Sequence, residues 1–372
     1  MTKQIRKITH FVYNELFLSI NLLILVILTA LYPQKVSEFP SFVDWNTMEV
    51  LLAFMLIVTA IELSGFFEFL AGKISFIGSR RKLAIAFITA SAVLAAFLTN
   101  DISLFIIIPI TLPFKKQFGN KFIWLIVLET VAVNVGSALT PFGNPQNIYI
   151  WRHWDVDFWD FIRTMFPLFI VSFSLLVLAA VLIFRKIEVD NVRPSFEARF
   201  NQKKFILFLI VFIINIWAVE KNIVLYILPA DIVLVALTDR RVFAKADWNL
   251  LLIFLLLFIN VKMLVQIPGI QAFFDNNVSS AKEVFVSTFV LSQFISNVPA
   301  TLFMSNIADN WRAISYGANV AGSGFIIGSM ANMISMRLSK EKKFFSAYHK
   351  FALPFTILIL ALSLIFFEKF FI

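Results

Sequence analysis

Two short polar clusters interrupt long apolar runs of this chain: Thr99-Asn100-Asp101 and Ser296-Asn297. Hydroxyl and amide oxygens suit a hard cation such as Na⁺, and the carboxylate of Asp101 strengthens the first cluster. Val298 stands where the second would carry its carboxylate, so the two sites are expected to differ. Asn100, Asp101 and Asn297 are the candidate Na⁺ ligands. The plainer role for the two asparagines is helix capping, which requires no transport; one residue can do both.

A second pair of stretches cannot continue as regular helix. Between Asn134 and Asn147 stand Pro141, Gly143 and Pro145; each proline removes a backbone donor, and a helical glycine costs ~1 kcal/mol relative to alanine. Between Asn319 and Asn332 stand Gly322, Gly324 and Gly328. Unwinding frees carbonyls that can coordinate a cation, and a new helix N-terminus presents amides to an anion. The candidate binding residues are therefore Thr99, Asn100, Asp101, Asn134, Thr140, Gly143, Asn144 and Asn147, then Ser296, Asn297, Asn319, Gly328, Ser329 and Asn332. The alternative is a pair of kinked packing helices in which Gly324 and Gly328 give close approach. Ionisable groups inside apolar runs are expensive and are functional candidates by default. Asp101 and Glu129 are the candidate coupling carboxylates, although Glu129 could equally pair with a neighbouring helix. Glu62 and Lys262 lie near the ends of apolar runs, where snorkelling to the interface suffices. Asp231 follows Pro229 and has no assigned role.

These residues need elements that hold them at membrane depth. The chain has 372 residues, 60% hydrophobic and only 15% charged, with 45 phenylalanines and no cysteine. That balance suits a multi-span membrane protein rather than a soluble domain. It excludes disulfides and thiolate metal sites, and the alternation of a membrane β-barrel is absent. Candidate spans are 16–32, 47–64, 121–151, 163–184, 204–219, 223–238, 248–266, 312–336 and 349–368. The stretches 83–113 and 281–307 are apolar but broken by the polar tips, and read as re-entrant hairpins. The net charge of +9 sits in short loops between apolar runs, which points to topology rather than to nucleic acid. Lys and Arg gather in 1–15, 65–82, 114–121, 185–204, 239–247 and 337–350. All six fall on one side if the N-terminus is cytoplasmic and neither hairpin crosses.

Three motifs occur twice in the same order. Asp44-Trp45-Asn46 recurs as Asp247-Trp248-Asn249, and Phe97-Leu98-Thr99-Asn100 as Phe294-Ile295-Ser296-Asn297. Asn134-Val135 with Gly143 and Asn147 recurs, at identical spacing, as Asn319-Val320 with Gly328 and Asn332. Five spans separate the two Asp-Trp-Asn starts, an odd number, so the second copy is expected upside down relative to the first. The expected fold is an all-α polytopic membrane protein of two inverted repeats. It has about nine transmembrane helices, two re-entrant helical hairpins and two discontinuous helices. A cytoplasmic N-terminus (1–15) precedes repeat 1 (16–184; hairpin 83–113, broken helix 121–151). A cytoplasmic linker (185–203) leads to repeat 2 (204–372; hairpin 281–307, broken helix 312–336).

At Phe97–Pro109, Asn134–Asn147, Leu291–Thr301 and Asn319–Asn332 the sequence resembles the ion transporter superfamily. That group spans arsenite permeases, NhaD-type sodium/proton antiporters, citrate carriers and divalent-anion symporters; the likeness to YbiR-like permeases is greatest. In the symporters, paired Ser-Asn-Thr tips bind sodium and substrate; Thr99-Asn100-Asp101 and Ser296-Asn297-Val298 match those tips but depart at the third residue. Asp101 is instead similar to the hairpin carboxylate of the antiporter and arsenite branches. The resemblance implies alternating access and often a homodimer.

The expected function is ion-coupled secondary transport of a small anion with Na⁺ or H⁺, the alternative being Na⁺/H⁺ antiport on the same scaffold. The expected setting is the inner membrane, with the bilayer and a small ion as partners. No cofactor is expected beyond the coupling ion. No ATP-binding P-loop is present, and the three histidines, His10, His153 and His349, form no metal-hydrolase motif, so an enzyme is not expected.

Overall fold

The computed structural model describes residues 16–66, 69, 79–187 and 200–371; the N-terminal segment 1–15 and most of the linker lie outside them. Among the described residues, sixteen main helices carry the chain and no strand is longer than an isolated bridge. In the first half they are α1 (Leu16–Leu31), α2 (Trp45–Glu62), α3 (Arg80–Phe97), α4 (Asn100–Thr111), α5 (Phe122–Ser137), α6 (Pro145–His153) and α7 (Phe158–Ile183). In the second they are α8 (Gln202–Glu220), α9 (Val224–Thr238), α10 (Trp248–Val265), α11 (Pro268–Asn277), α12 (Ala281–Ile295), α13 (Asn297–Ser305), α14 (Trp311–Ala321), α15 (Met330–Ser339) and α16 (Phe344–Phe371).

Six helical runs among the described residues are long and apolar enough to cross a membrane unaided: Trp45–Glu62, Asn100–Ser137, Phe158–Ile183, Gln202–Glu220, Trp248–Val265 and Phe344–Ile365. Four of the nine candidate spans are not single long helices, for identifiable reasons. Helix α1 has 16 residues and runs into a sharp bend, α9 has 15, 121–151 is split at 138–144 into α5, which the run Asn100–Ser137 joins to α4, and α6, and 312–336 is split at 322–329 into α14 and α15. The first arm of hairpin 83–113 is longer than its apolar run. It starts at Arg80 and has 18 residues, because Arg80, Arg81 and Lys82 form a polar first turn. The chain is a multi-pass, all-α membrane protein.

The duplicated Asp-Trp-Asn motif has a local structural task. Asp44 caps α2 by accepting from Thr47 N at 3.0 Å, and Asp247 caps α10 by accepting from Leu250 N at 3.1 Å. Each tryptophan indole donates five residues back, Trp45 to Pro40 O at 3.0 Å and Trp248 to Phe243 O at 2.7 Å. Both motifs thus fix the angle at which a long helix leaves a short one.

Helix α3 packs on α5 and α12 on α14, while α4 meets α15 and α6 meets α13. Helix α1 lies on α10, and α9 lies on α2. The closest approach is at Gly136, where an added Cβ would stand 2.0 Å from Ala92 O of α3. Replacing Gly136 by alanine forces the two backbones apart and is expected to cost about 1–3 kcal/mol. Tryptophan-monitored melting in detergent checks this; an unchanged Tm for Gly136→Ala would refute the close α3–α5 contact.

Candidate functional site

Both polar stretches are broken helices. Helix α5 stops at Ser137 and α6 restarts at Pro145; α14 stops at Ala321 and α15 restarts at Met330 after a single 3₁₀ turn. Backbone polar groups unwound at this depth need internal partners. Asparagine side chains supply several of them. Asn147 Nδ2 donates to Ser137 O and Thr140 O, both at 3.1 Å. Asn332, its counterpart, donates to Gly322 O at 2.9 Å and Phe325 O at 3.4 Å. The same asparagines join the two breaks: Asn134 Nδ2 donates to Asn332 Oδ1 at 2.8 Å, and Asn319 Nδ2 donates to Asn147 Oδ1 at 2.9 Å. The two bonds are one bond repeated, with donor and acceptor taken from the two copies in turn. Asn144 adds a third tie, donating to Asn319 Oδ1 at 3.0 Å, and Thr130 and Ser335 hydroxyls bond alongside.

Thr140 and Gly143 support the first break. The Thr140 hydroxyl donates to Ala96 O at 2.7 Å, and Gly143 O accepts from Asn100 N at 3.0 Å, docking the hairpin tip onto the break. A Cβ on Gly143 would lie 2.3 Å from Ser137 O, and one on Gly328 2.9 Å from Ala321 O. Gln293 does for the second break what Thr140 does for the first, accepting from Phe325 N at 2.7 Å and donating to Ala321 O at 3.1 Å.

Four helices begin at one place. Thr99 stands at the N-cap of α4, Asn144 of α6, Ser296 of α13 and Ser329 of α15. Between these N-termini lies a cavity lined by Asn100, Asp101, Pro145, Gln146, Asn297, Val298, Ser329 and Met330, and walled by Phe17 of α1 and Leu250, Ile253 and Phe254 of α10. Its interior is about 10 Å³, room for one water or a bare ion. Four buried polar atoms here have no partner: Asp101 Oδ1, Gln146 Oε1 and Nε2, and Ser329 Oγ. No Lys or Arg is among the lining residues. Helix N-termini favour an anion, while carboxylate, amide and hydroxyl oxygens favour a hard cation.

The structure therefore sorts the sequence candidates. Asn100, Asp101, Asn297 and Ser329 meet at the cavity; Asn134, Asn144, Asn147, Asn319 and Asn332 tie the breaks together. Glu129 stands elsewhere: buried, it accepts from Thr111 Oγ1 at 2.7 Å, at the far end of α4 from Asp101. At 1.5 Å per residue that is roughly 15 Å along the helix. Asp231 accepts from Asn215 at 3.0 Å between α8 and α9, and Lys262 donates to Asn306 at 2.5 Å. Gln146 is the cavity residue that sequence reasoning passed over. Its signal was a polar side chain directly after Pro145, in the first turn of a restarted helix.

Ser296 holds a further feature. Its φ of 76° and ψ of 156° lie in a region that only glycine adopts freely. The matching Thr99, at φ −66° and ψ 151°, is relaxed.

If the asparagine ties act as a unit, Asn319→Ala and Asn147→Ala are each expected to lower stability by about 1 kcal/mol. Their double variant should lose less than the sum. Melting of the four proteins of this cycle decides; strict additivity would show that the two side chains act separately.

A family model described as citrate transporter matches residues 15–312. The chain is 33% identical over 348 residues to inner membrane protein YbiR of Escherichia coli, with 92% of each chain covered. It is 34% identical over 337 residues to an uncharacterized transporter of Methanocaldococcus jannaschii, with 90% of each covered. A 46 kDa membrane protein of Mycobacterium leprae is 26% identical over 348 residues. The broken helices, the paired tips and the cavity between them thus sit in a membrane transporter, and the chain belongs to the citrate transporter family.

Proposed function

We propose that the protein is an ion-coupled secondary transporter that works by alternating access, moving a small anion with Na⁺ or H⁺ through the cavity between the four helix N-termini. The observation that carries this reading is the pairing of opposites at that cavity. Positive helix ends surround it, yet a buried carboxylate with a free oxygen faces into it. An anion alone would meet the charge of Asp101; a cation alone would meet the helix dipoles. Together they neutralise each other, which is the physical content of coupling. The family's printed substrate, citrate, makes a carboxylate anion the first cargo to test.

Each charge carried down ~100 mV supplies ~2.3 kcal/mol, enough for about 50-fold accumulation. In proteoliposomes, Asp101→Asn is expected to abolish the stimulation of anion uptake by an inward Na⁺ or H⁺ gradient. Stimulation that survives the substitution would overturn the assignment of Asp101. The second reading, Na⁺/H⁺ antiport, is favoured by the absence of any Lys or Arg at the cavity. It requires Na⁺-driven proton movement with no organic anion present, and a pH-sensitive dye inside the vesicles reads that directly.

The two halves are proposed to lie inverted in an inner membrane, with the N-terminus cytoplasmic. The symmetric ties Asn134–Asn332 and Asn319–Asn147 support this, because each copy offers the other the same two groups. The chain has no cysteine, so labelling has no background. Lys116→Cys and Asp309→Cys are expected to react from opposite faces of the membrane. Labelling from one face would overturn the inversion.

A further inference from the structure

The two breaks meet the same backbone requirement in different ways. At the spacing that matches Asn134 with Asn319 and Asn147 with Asn332, Pro141 of the first break stands opposite Ile326 of the second. Proline has no amide hydrogen, so the first break has no donor to satisfy there. Ile326 has one, and it is buried. Left unpaired at this depth it would be costly.

Its partner is His349, in the second turn of α16: Ile326 N donates to His349 Nε2 at 3.2 Å. That bond fixes the hydrogens of the ring. A backbone amide can only donate, so Nε2 carries no hydrogen. The ring hydrogen sits on Nδ1, which donates to Phe345 O at 2.8 Å. Both bonds need the neutral ring, because a protonated imidazole has a hydrogen on each nitrogen and would turn one against the Ile326 amide. Gln293 and Asn332, which hold Phe325 N and the carbonyls of Ala321, Gly322 and Phe325 in the same break, have no such dependence.

The rings of Phe325, Phe345 and Tyr348 surround the imidazole. Most charges on the elements packed against α16 stand apart from it. Asp160 and Arg163 of α7, Lys282 and Glu283 of α12 and Arg312 of α14 lie near the starts of those helices, away from the break. Tyr316 of α14 donates to Thr164 O, and Glu129 of α5 is bonded to Thr111 of α4. At this end stand Arg337 of α15 and, around the start of α16, Lys342, Lys343, Lys350 and Glu341, the last paired with Lys115.

We propose that His349 is a positioning residue for the second break, and that it acts only while neutral. It holds Ile326 and, through the 3₁₀ turn Ile326–Gly328, the start of α15 at the cavity. Imidazole changes charge between about pH 5 and 8. The support is therefore present at the alkaline end of that range and lost as pH falls. With Pro141 in place of a donor, the first break keeps its form throughout, so acid loosens one half of the molecule and not the other. The bond stands whatever the cargo; its consequence for transport rests on the reading above.

The test is hydrogen exchange of the purified full-length protein, read by mass spectrometry on the peptide covering 322–329, with thermal melting alongside. His349→Gln keeps an acceptor oxygen and does not titrate. Native protein and this variant are expected to exchange alike at about pH 8, and the native peptide about tenfold faster at about pH 5. Comparing the two at one pH cancels the intrinsic pH dependence of exchange. His349→Ala strands the amide and should lower Tm. Adding Ile326→Pro, which deletes the donor as Pro141 does, should recover most of that loss; Phe325 already has the extended ψ of 154° that a following proline needs. Equal exchange of native protein and His349→Gln at both pH values, or no recovery in the double variant, would overturn the inference. Neither measurement involves uptake, so the transport reading would be left standing.

Discussion

Unwound backbone inside a membrane protein has to find its hydrogen bonds within the chain, and this constraint organises the whole interior. The breaks in the two discontinuous helices leave carbonyls near Ser137, Thr140, Gly322 and Phe325 without helical partners. Asn147 and Asn332 cover them, and in doing so present their amide oxygens to Asn319 and Asn134. A single residue type thus closes each gap and fastens one gap to the other. With the gaps closed, helices α6 and α15 can restart deep in the protein and aim their N-termini inward. The cavity exists because those starts are affordable there.

Symmetry ends at the cavity wall. The scaffold asparagines are shared by both copies, whereas Asp101 and Gln146 belong to one. The second copy carries its own peculiarity, the strained Ser296, which costs of order 1–3 kcal/mol and is held by the packing of α12 and α13 around it. Strain in one tip and unsatisfied polar atoms in the other are both departures from the most stable arrangement. They lie where the two hairpins face each other, the place where a transporter must exchange contacts.

The breaks and tips were legible in the sequence because prolines, glycines and polar clusters stand out against apolar runs. The asparagines were legible through duplication, yet their partners were not, since no spacing rule reveals which residue of one copy meets which of the other. Duplication also selects, because it favours residues that recur: Gln146, with Ala331 opposite it, did not stand out, while the recurring Asp44 and Asp247 mark the repeat and cap helices. Glu129, the other candidate coupling carboxylate, stands roughly 15 Å from the cavity because α4 runs its whole length between them, a separation that its nearness to a break in sequence does not reveal.

The size of the cavity bears on how cargo enters. About 10 Å³ admits an ion or a water and no carboxylate-bearing solute. For the proposed cargo to pass, the space has to widen, and its walls differ in what widening breaks. On one side, α5, α6, α14 and α15 are joined by side-chain hydrogen bonds that would be left unmade in an apolar interior. On the other, α1 and α10 present Phe17, Leu250, Ile253 and Phe254. These two helices are tied to each other, Asn260 donating to Asn21 O at 2.8 Å, and so form one apolar panel. Sliding these apolar faces past one another strands no polar group at the cavity wall, and the polar tie it strains, Lys262 of α10 to Asn306 past the end of α13, lies at the other end of both helices. The motion that the proposed alternating access requires is therefore least costly between this panel and the helix starts, with the asparagine ties carried along intact.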